Sequence, residues 1–284
     1  MEYLTLLIPP GVFVLLFVLE RIIPLRQRTR GLLRRLVKNL TLTAIVFLVG
    51  SLIVKNAGLA TSRWITDRKI GIALLIPLPK WGGIVLSFLL MDLSFYWWHM
   101  ANHRIRLLWR FHNVHHVDPD LDVSTSFRFH FVEIAYSSVF RVVQVLVIGI
   151  APLTYVIYET VFTIETMFHH SNVRLPVGFE RWLNKIVVTP RMHGIHHSAV
   201  SQETNSNYSV IFSWWDRLHR SLVLNVPQRS IRIGVPGYQE KQDNRFWNLL
   251  KMPFIGQKEY WRFSDGTLPQ SNKDNTFKAT RMSE

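Results

Sequence analysis

The sequence predicts an all-α protein, a polytopic transmembrane helical bundle of about four to five spans that carries a cytoplasmic, histidine-rich helical cap. Three observations predict it. The 284 residues are 48% hydrophobic and only 18% charged, with a mean hydropathy of +0.13, more apolar than an ordinary soluble domain. Long apolar stretches recur with few charges inside them, and positive charge gathers between them, as membrane topology requires. Ten tryptophans, eight tyrosines and eighteen phenylalanines suit a chain with much surface at headgroup level.

Taken in order, Tyr3 to Glu20 is a nearly uncharged run interrupted only by Pro9, Pro10 and Gly11. It is long enough to cross about 30 Å of hydrocarbon at about 1.5 Å per residue, and it lacks the basic start and small-residue cleavage site of a signal peptide. Seven Lys/Arg follow between Arg21 and Lys38. Leu40 to Val54 reads as a second span and Trp81 to Trp98 as a third, ending in the aromatic "FYWWH". Between them, Lys55 to Lys80 carries five positive charges, and its "IALLIPLP" reads as a re-entrant or interfacial piece. Phe131 to Phe168 holds a single basic residue, Arg141, and a break at Gly149 to Pro152, so it reads as a hairpin of two spans. The loop of seven positive charges and the part after Ser171, with 16 of the 33 Lys/Arg, belong in the cytoplasm by the positive-inside rule. The expected division is an N-terminal anchor region, 1–80, a histidine-box domain of transmembrane helices and cytoplasmic cap, 81–220, and a cytoplasmic tail, 221–284. All twelve histidines then fall on one membrane face.

With no cysteine, thiolate and iron–sulfur sites are excluded, and any metal must be held by histidine and oxygen. "HMANH" sets His99 and His103 at i, i+4 on one helix face, within reach of one ion. "HNVHH" adds His112, His115 and His116, and "HGIHH" repeats that spacing at His193, His196 and His197. Eight histidines exceed the four to six ligands that saturate one transition metal, so two metals are expected. Asp92, seven residues before His99 on the same helix, is a candidate acceptor for a ligand's second ring N–H. Met100 follows His99 where a zinc hydrolase of the HExxH type has its glutamate, and the histidines do not sit mid-span as a bis-histidine haem needs. An imidazole-dominated pair of metals at a membrane face suits iron and O2.

The stretches "DLSFYWWHMANH", "LLWRFHNVHHVDPDLDVSTSFRFH", "FHHSNVRLP", "VTPRMHGIHHS" and "NYSVIFSWWDRL" resemble, in this order, the fatty acid hydroxylase and sterol desaturase superfamily of integral-membrane di-metal oxygenases. The phrasing of the last histidine box is similar to the bacterial sterol desaturase-like branch. The likeness covers under half of the chain. It implies metal ligation by His99, His103, His112, His115, His116, His193, His196 and His197, with His170 at a further ligand position and His169 and His130 as additional candidates. Phe131 stands where the family has a proline after His130, and Val117 where serine is common. Asn207 and Asp216 occupy the family's "NY" and "WDR" elements, as supports of ligand histidines or as a structural turn and an Asp216–Arg217 ion pair. Arg128 and Glu133, flanking His130, are expected to pair with each other.

The implied chemistry is O2-dependent hydroxylation or desaturation of a lipid (a fatty acyl chain, sterol or ether lipid) at two iron ions, with zinc a possible substitute in purified protein. The chain has no nucleotide fingerprint and no cysteine for a redox centre, so a separate electron donor, a ferredoxin, cytochrome or reductase, is expected. The implied setting is the bacterial inner membrane, with the site on the cytoplasmic face. A zinc-dependent membrane hydrolase and a non-catalytic metal-binding membrane protein stay open as alternatives. The net charge of +14 is split among loops of an apolar chain, so no nucleic-acid partner is expected.

Overall fold

A computed structural model describes residues 2–49 and 55–271, so the end of the expected second span, 50–54, and the last thirteen residues of the tail lie outside it. Among the described residues the architecture is all-helical, with isolated bridges such as Val187 to Phe212 in place of a sheet.

Helix α1 (Glu2–Ile22) runs without interruption through Pro9 and Pro10. Proline deletes a backbone donor and usually ends a soluble helix, but apolar helices in lipid tolerate it because the alternative is an exposed peptide group. α2 (Leu32–Val49) follows. Lys55 to Lys80, between the expected second and third spans, contains α3 (Lys55–Arg68) and the single turn α4 (Ile72–Leu75). α3 lies against the expected hairpin, with Ile65 fully buried and Ser62 Oγ donating to Ile150 O at 2.5 Å.

Two helices carry the site's first residues: α5 (Lys80–Arg104) and α6 (Arg106–His116). The hairpin is α7 (Phe131–Ile148) and α8 (Pro152–His170). α7 ends on Gly149 at φ +77, against Gly71 at φ +108, and a Cβ on Gly71 would lie 2.3 Å from the Gly149 Cα. Only glycine at both positions permits this approach. The contact closes the bundle at the end away from the histidines, because α5 and α8 run toward theirs and α7 runs away from His130.

Among the described residues, α5 and α7 are the helices long and apolar enough to cross a membrane by length and composition. Val139, Val143 and Val147 form an exposed stripe along α7 and Leu153 and Ile157 one on α8, which a water-facing surface would not favour.

A cap of short helices covers the histidine end: α9 (Val177–Leu183), α10 (Pro190–His196), α11 (Ser201–Thr204), α12 (Trp214–Leu218) and α13 (Phe246–Lys251). α10 starts as its sequence requires, with Thr189 as N-cap and Pro190 in the first turn. The cap is tied to the bundle by buried polar groups. Glu20 at the end of α1 accepts from Val123 N and Asn172 N, both at 3.0 Å. Arg35 of α2 grips Asp118 with Nε and Nη2, each at 2.8 Å, and also bonds Asp122. Burial alone would raise the Asp118 pKa, but the Arg35 and Arg128 guanidiniums hold its carboxyl well below the usual carboxylate range. The aspartates of "HHVDPDLD" are therefore structural anchors.

Candidate metal centre

Four helices deliver the histidines. α5 brings His99 and His103, α6 brings His112, His115 and His116, α8 ends on His169 and His170, and α10 supplies His193 and His196, with His197 just after it. Nine of the eleven candidates meet in two buried groups. His99, His103, His112, His116 and His196 form one; His115, His170, His193 and His197 form the other, with ligand atoms within 4.8 Å of one another in each.

Helix geometry explains the division. At about 100° per residue, positions i and i+4 lie about 40° apart while i+3 falls about 60° to the other side. In α6, His112 and His116 point to the first group and His115 to the second. In α10 the assignment reverses, with His193 and His197 in the second group and His196 in the first. Each HxxHH motif thus serves both groups.

Hydrogen bonds set the tautomers. Nδ1 of His99 donates to Tyr208 O at 2.8 Å, that of His196 to Ser206 O at 2.7 Å, that of His170 to Thr166 O at 2.7 Å and that of His115 to Arg128 O at 3.2 Å. His112 Nδ1 lies 2.7 Å from Glu133 Oε1. A carbonyl only accepts, so each of those Nδ1 atoms carries the proton and Nε2 presents a lone pair.

Several of these Nε2 atoms have no protein donor to meet. In the first group, Nε2 of His112, His116 and His196 and both ring nitrogens of His103 are buried without a hydrogen-bond partner. In the second, Nε2 of His170 is 3.0 Å from Nε2 of both His115 and His193, and the Nε2 atoms of His193 and His197 are 3.1 Å apart. For His115 and His170, both with Nδ1 protonated, this sets lone pair against lone pair, which is repulsive unless a cation lies between them. Burial, reinforced by neighbouring imidazoles, pushes His115, His116, His193 and His197 well below the ordinary histidine pKa, and burial brings His196 down to about 3. Proton sharing therefore does not relieve the contact. A spacing near 3 Å is the edge of a coordination polyhedron with metal–nitrogen bonds of about 2.1 Å. The donor set fits imidazole-bound first-row metals.

His169 packs against the His193 ring at 4.1 Å between centroids and belongs to neither group. His130 is not brought to the site: its Nδ1 accepts from Val132 N as the cap of α7, and its Nε2 lies 3.2 Å from Leu250 O. Asp92 does not meet a histidine ring as expected; it accepts from Ile211 N, Phe212 N and Trp215 Nε1. Asp216 does not pair with Arg217. It takes the backbone N–H groups of Tyr208 and Ser209 at 2.9 and 2.8 Å, fixing the peptide whose carbonyl receives His99. Asn207, at φ +54, bonds Met192 O and Val223 O and ties α10 to the chain after α12. The expected Arg128–Glu133 pair is also replaced: Arg128 turns to Val114 O, Asn39 and Asn244, leaving Glu133 for His112.

Beside the histidines lies a cavity of about 260 Å³. Its walls include Phe95, Phe127, Phe129, Phe162 and Val210, and His99, His112, His115, His170 and His193 border it. The ion pair of buried Arg141 with half-buried Glu159, at 3.0 Å, also faces it.

The family model for fatty acid hydroxylase matches residues 84–221, a range that contains all twelve histidines. The match takes in just under half of the chain. The chain is similar to the ornithine lipid hydroxylase OlsE of Rhizobium tropici, 31% identical over 179 residues, which is 62% of this chain and 52% of that protein. It is 27% identical over 145 residues to alkylglycerol monooxygenase of Xenopus tropicalis, covering 49% of this chain and 30% of the relative. Against human cholesterol 25-hydroxylase the identity is 28% over 153 residues, 51% of this chain and 53% of the relative. The chain thus spans about half or less of the length of these curated relatives. No solved structure matches the chain.

Proposed function

We propose that this protein is a membrane-bound, O2-dependent oxidoreductase that hydroxylates a C–H bond of a lipid at two iron ions. The observation that carries the reading is the pair of buried imidazole groups, with lone pairs turned on one another, beside an aromatic-walled cavity. The names of the similar proteins, all lipid hydroxylases or monooxygenases, point the same way.

In this reading His99, His103, His112, His116 and His196 hold one ion and His115, His170, His193 and His197 the other. When bound, the metal pair supplies the redox chemistry by which one atom of O2 enters the C–H bond and the other leaves as water, consuming two electrons and two protons. The chain's own work is positional. Glu133 and the carbonyls of Tyr208, Ser206, Arg128 and Thr166 lock ring orientations, so the ligands do not reorganise at each turnover. The aromatic walls exclude water and hold an apolar segment of substrate next to the site. A separate ferredoxin, cytochrome or reductase supplies the electrons, since the sequence has no cysteine for an iron–sulfur centre and no nucleotide fingerprint.

The same reading has about four to five crossings, drawn from α1, α2, α5, α7 and α8, with the histidine end at the cytoplasmic face of a bacterial inner membrane. It rests on the apolar stripes of α7 and α8 and on the seven basic residues between Arg21 and Lys38.

The test is lipid mass spectrometry of cells given ¹⁸O2 and a competent electron donor, comparing the wild type with a His193→Ala, His196→Ala variant. A lipid that gains one ¹⁸O only with the wild type is the expected product. Loss of two hydrogens without label would make the enzyme a desaturase, and identical lipid profiles would reject the oxygenase reading.

A further inference from the structure

A second cavity, of about 410 Å³, lies where the chain after α1 passes α10. Arg26, Arg28, Arg30 and Arg232 line it, against Asp120 and Asp122. Both carboxylates are already engaged: Asp120 accepts from Thr29 N, Thr29 Oγ1 and Arg30 N, and Asp122 pairs with Arg35. The lining therefore carries an excess of positive charge.

Arg26 is the unusual member. It is 7% exposed, and although Nη1 donates to Gln228 Oε1 at 2.6 Å and Pro190 O at 3.3 Å, its Nε and Nη2 have no hydrogen-bond partner. The carboxylates whose charge it feels, Glu180, Glu20 and Asp122, are bound by Arg191, Arg21 and Arg35 respectively. Burial lowers its pKa to about 10 despite them. A buried cation with unmet N–H groups is costly unless an anion completes it, and a guanidinium fork matches an oxyanion in two-pronged fashion.

We propose that this cavity binds a phosphate-type oxyanion, with Arg26 at its base and Arg28, Arg30 and Arg232 at its mouth. A concave cavity of this size fits one such group better than the flat surface of a protein partner. Two sources share the chemistry. The cavity begins four residues beyond the end of α1 at Ile22, near headgroup depth in the membrane reading, so a phospholipid phosphate can reach it; free phosphate can enter from water. Arg26 Nη1 lies 2.2 Å from where a Cβ on Gly194 would be, so the ligand would sit one layer behind the helix that carries His193 and His196.

The experiment is equilibrium binding to the purified full chain in neutral detergent, with two probes: inorganic phosphate and short-chain phosphatidic acid, each in excess chloride. The comparison is an Arg28→Ala, Arg232→Ala variant, whose exposed side chains can be removed without disturbing the core, and Arg26→Gln, with metal content as the check on folding. Saturable binding of either probe that weakens about tenfold or more in the double variant is expected. Binding of phosphate identifies a free oxyanion, and binding of phosphatidic acid alone identifies a headgroup. Absence of saturable binding by both probes, or affinity unchanged in the double variant, overturns the proposal.

Discussion

Glu133 Oε1 lies 2.7 Å from Nδ1 of His112, joining the first turn of α7 to the middle of α6. The contact fixes the ring of a candidate ligand whose Nε2 is otherwise without a partner. Glu133→Ala is expected to weaken metal retention about ten- to a hundredfold, with Glu133→Gln closer to wild type because its carbonyl still accepts. Metal content after dialysis against a graded chelator series reads this directly; equal retention in all three proteins would remove Glu133 from the site.

Arg35 and Asp118 form the buried pair that pins the loop after the second histidine box. Arg35→Ala leaves Asp122 in the interior without its cation and Asp118 with Arg128 alone, 3.6 Å away, and is expected to destabilise by about 3–5 kcal/mol. Adding Asp118→Asn should recover part of the loss. Thermal unfolding in detergent checks both, and additive effects of the two changes would show that the residues do not interact.

The pH response of metal-free protein follows from the cap histidines. His196 is held at about 3 by burial against about 6.5 unfolded, so between these values the unfolded chain binds more protons. Stability therefore rises with pH through this window and falls as pH drops below about 6.5. Metal retention should fall in the same direction, since protons compete for the same nitrogens. Melting temperatures of chelator-treated protein from pH 8 to 4 test the sign, and a flat profile would mean that these rings titrate alike in the folded and unfolded chain.

Gly71→Ala is expected to cost more than about 1 kcal/mol, because it puts a Cβ into the Gly149 backbone at φ +108. The contact is at the far end of the bundle, so metal content per folded chain should be unchanged. A variant that melts like the wild type would contradict the close approach.

How much of this was legible in the sequence depended on whether the information was local. The HxxHH and HxxxH spacings identify the histidines because one helix turn brings them to one side. Which ring joins which group was not legible, since it depends on α6 and α10 facing each other in opposite senses. Asp92 shares a helix with His99 and was expected to reach a histidine, but the Ile211 to Trp215 segment, more than a hundred residues away in the chain, takes its oxygens. Glu133 was noticed for the wrong partner: Arg128 is a near neighbour in sequence, while the partner it meets is His112 across the α6–α7 junction. Tyr3 to Glu20 reads as one span in spite of Pro9 and Pro10, and α1 passes through both. Helix α3 was not legible in the charged stretch between the expected second and third spans, because what places it is the buried face of Ile65 and Ser62 against the hairpin.

The central claim is that the histidines make two separate metal sites. The most direct test is elemental analysis of the purified full chain beside two variants, His103→Ala, His112→Ala in the first group and His115→Ala, His170→Ala in the second. The expected result is close to two ions per wild-type chain and close to one in each variant, with the spared ion in the untouched group. A single ion per wild-type chain, or loss of all metal from both variants in proteins that remain folded, would contradict it.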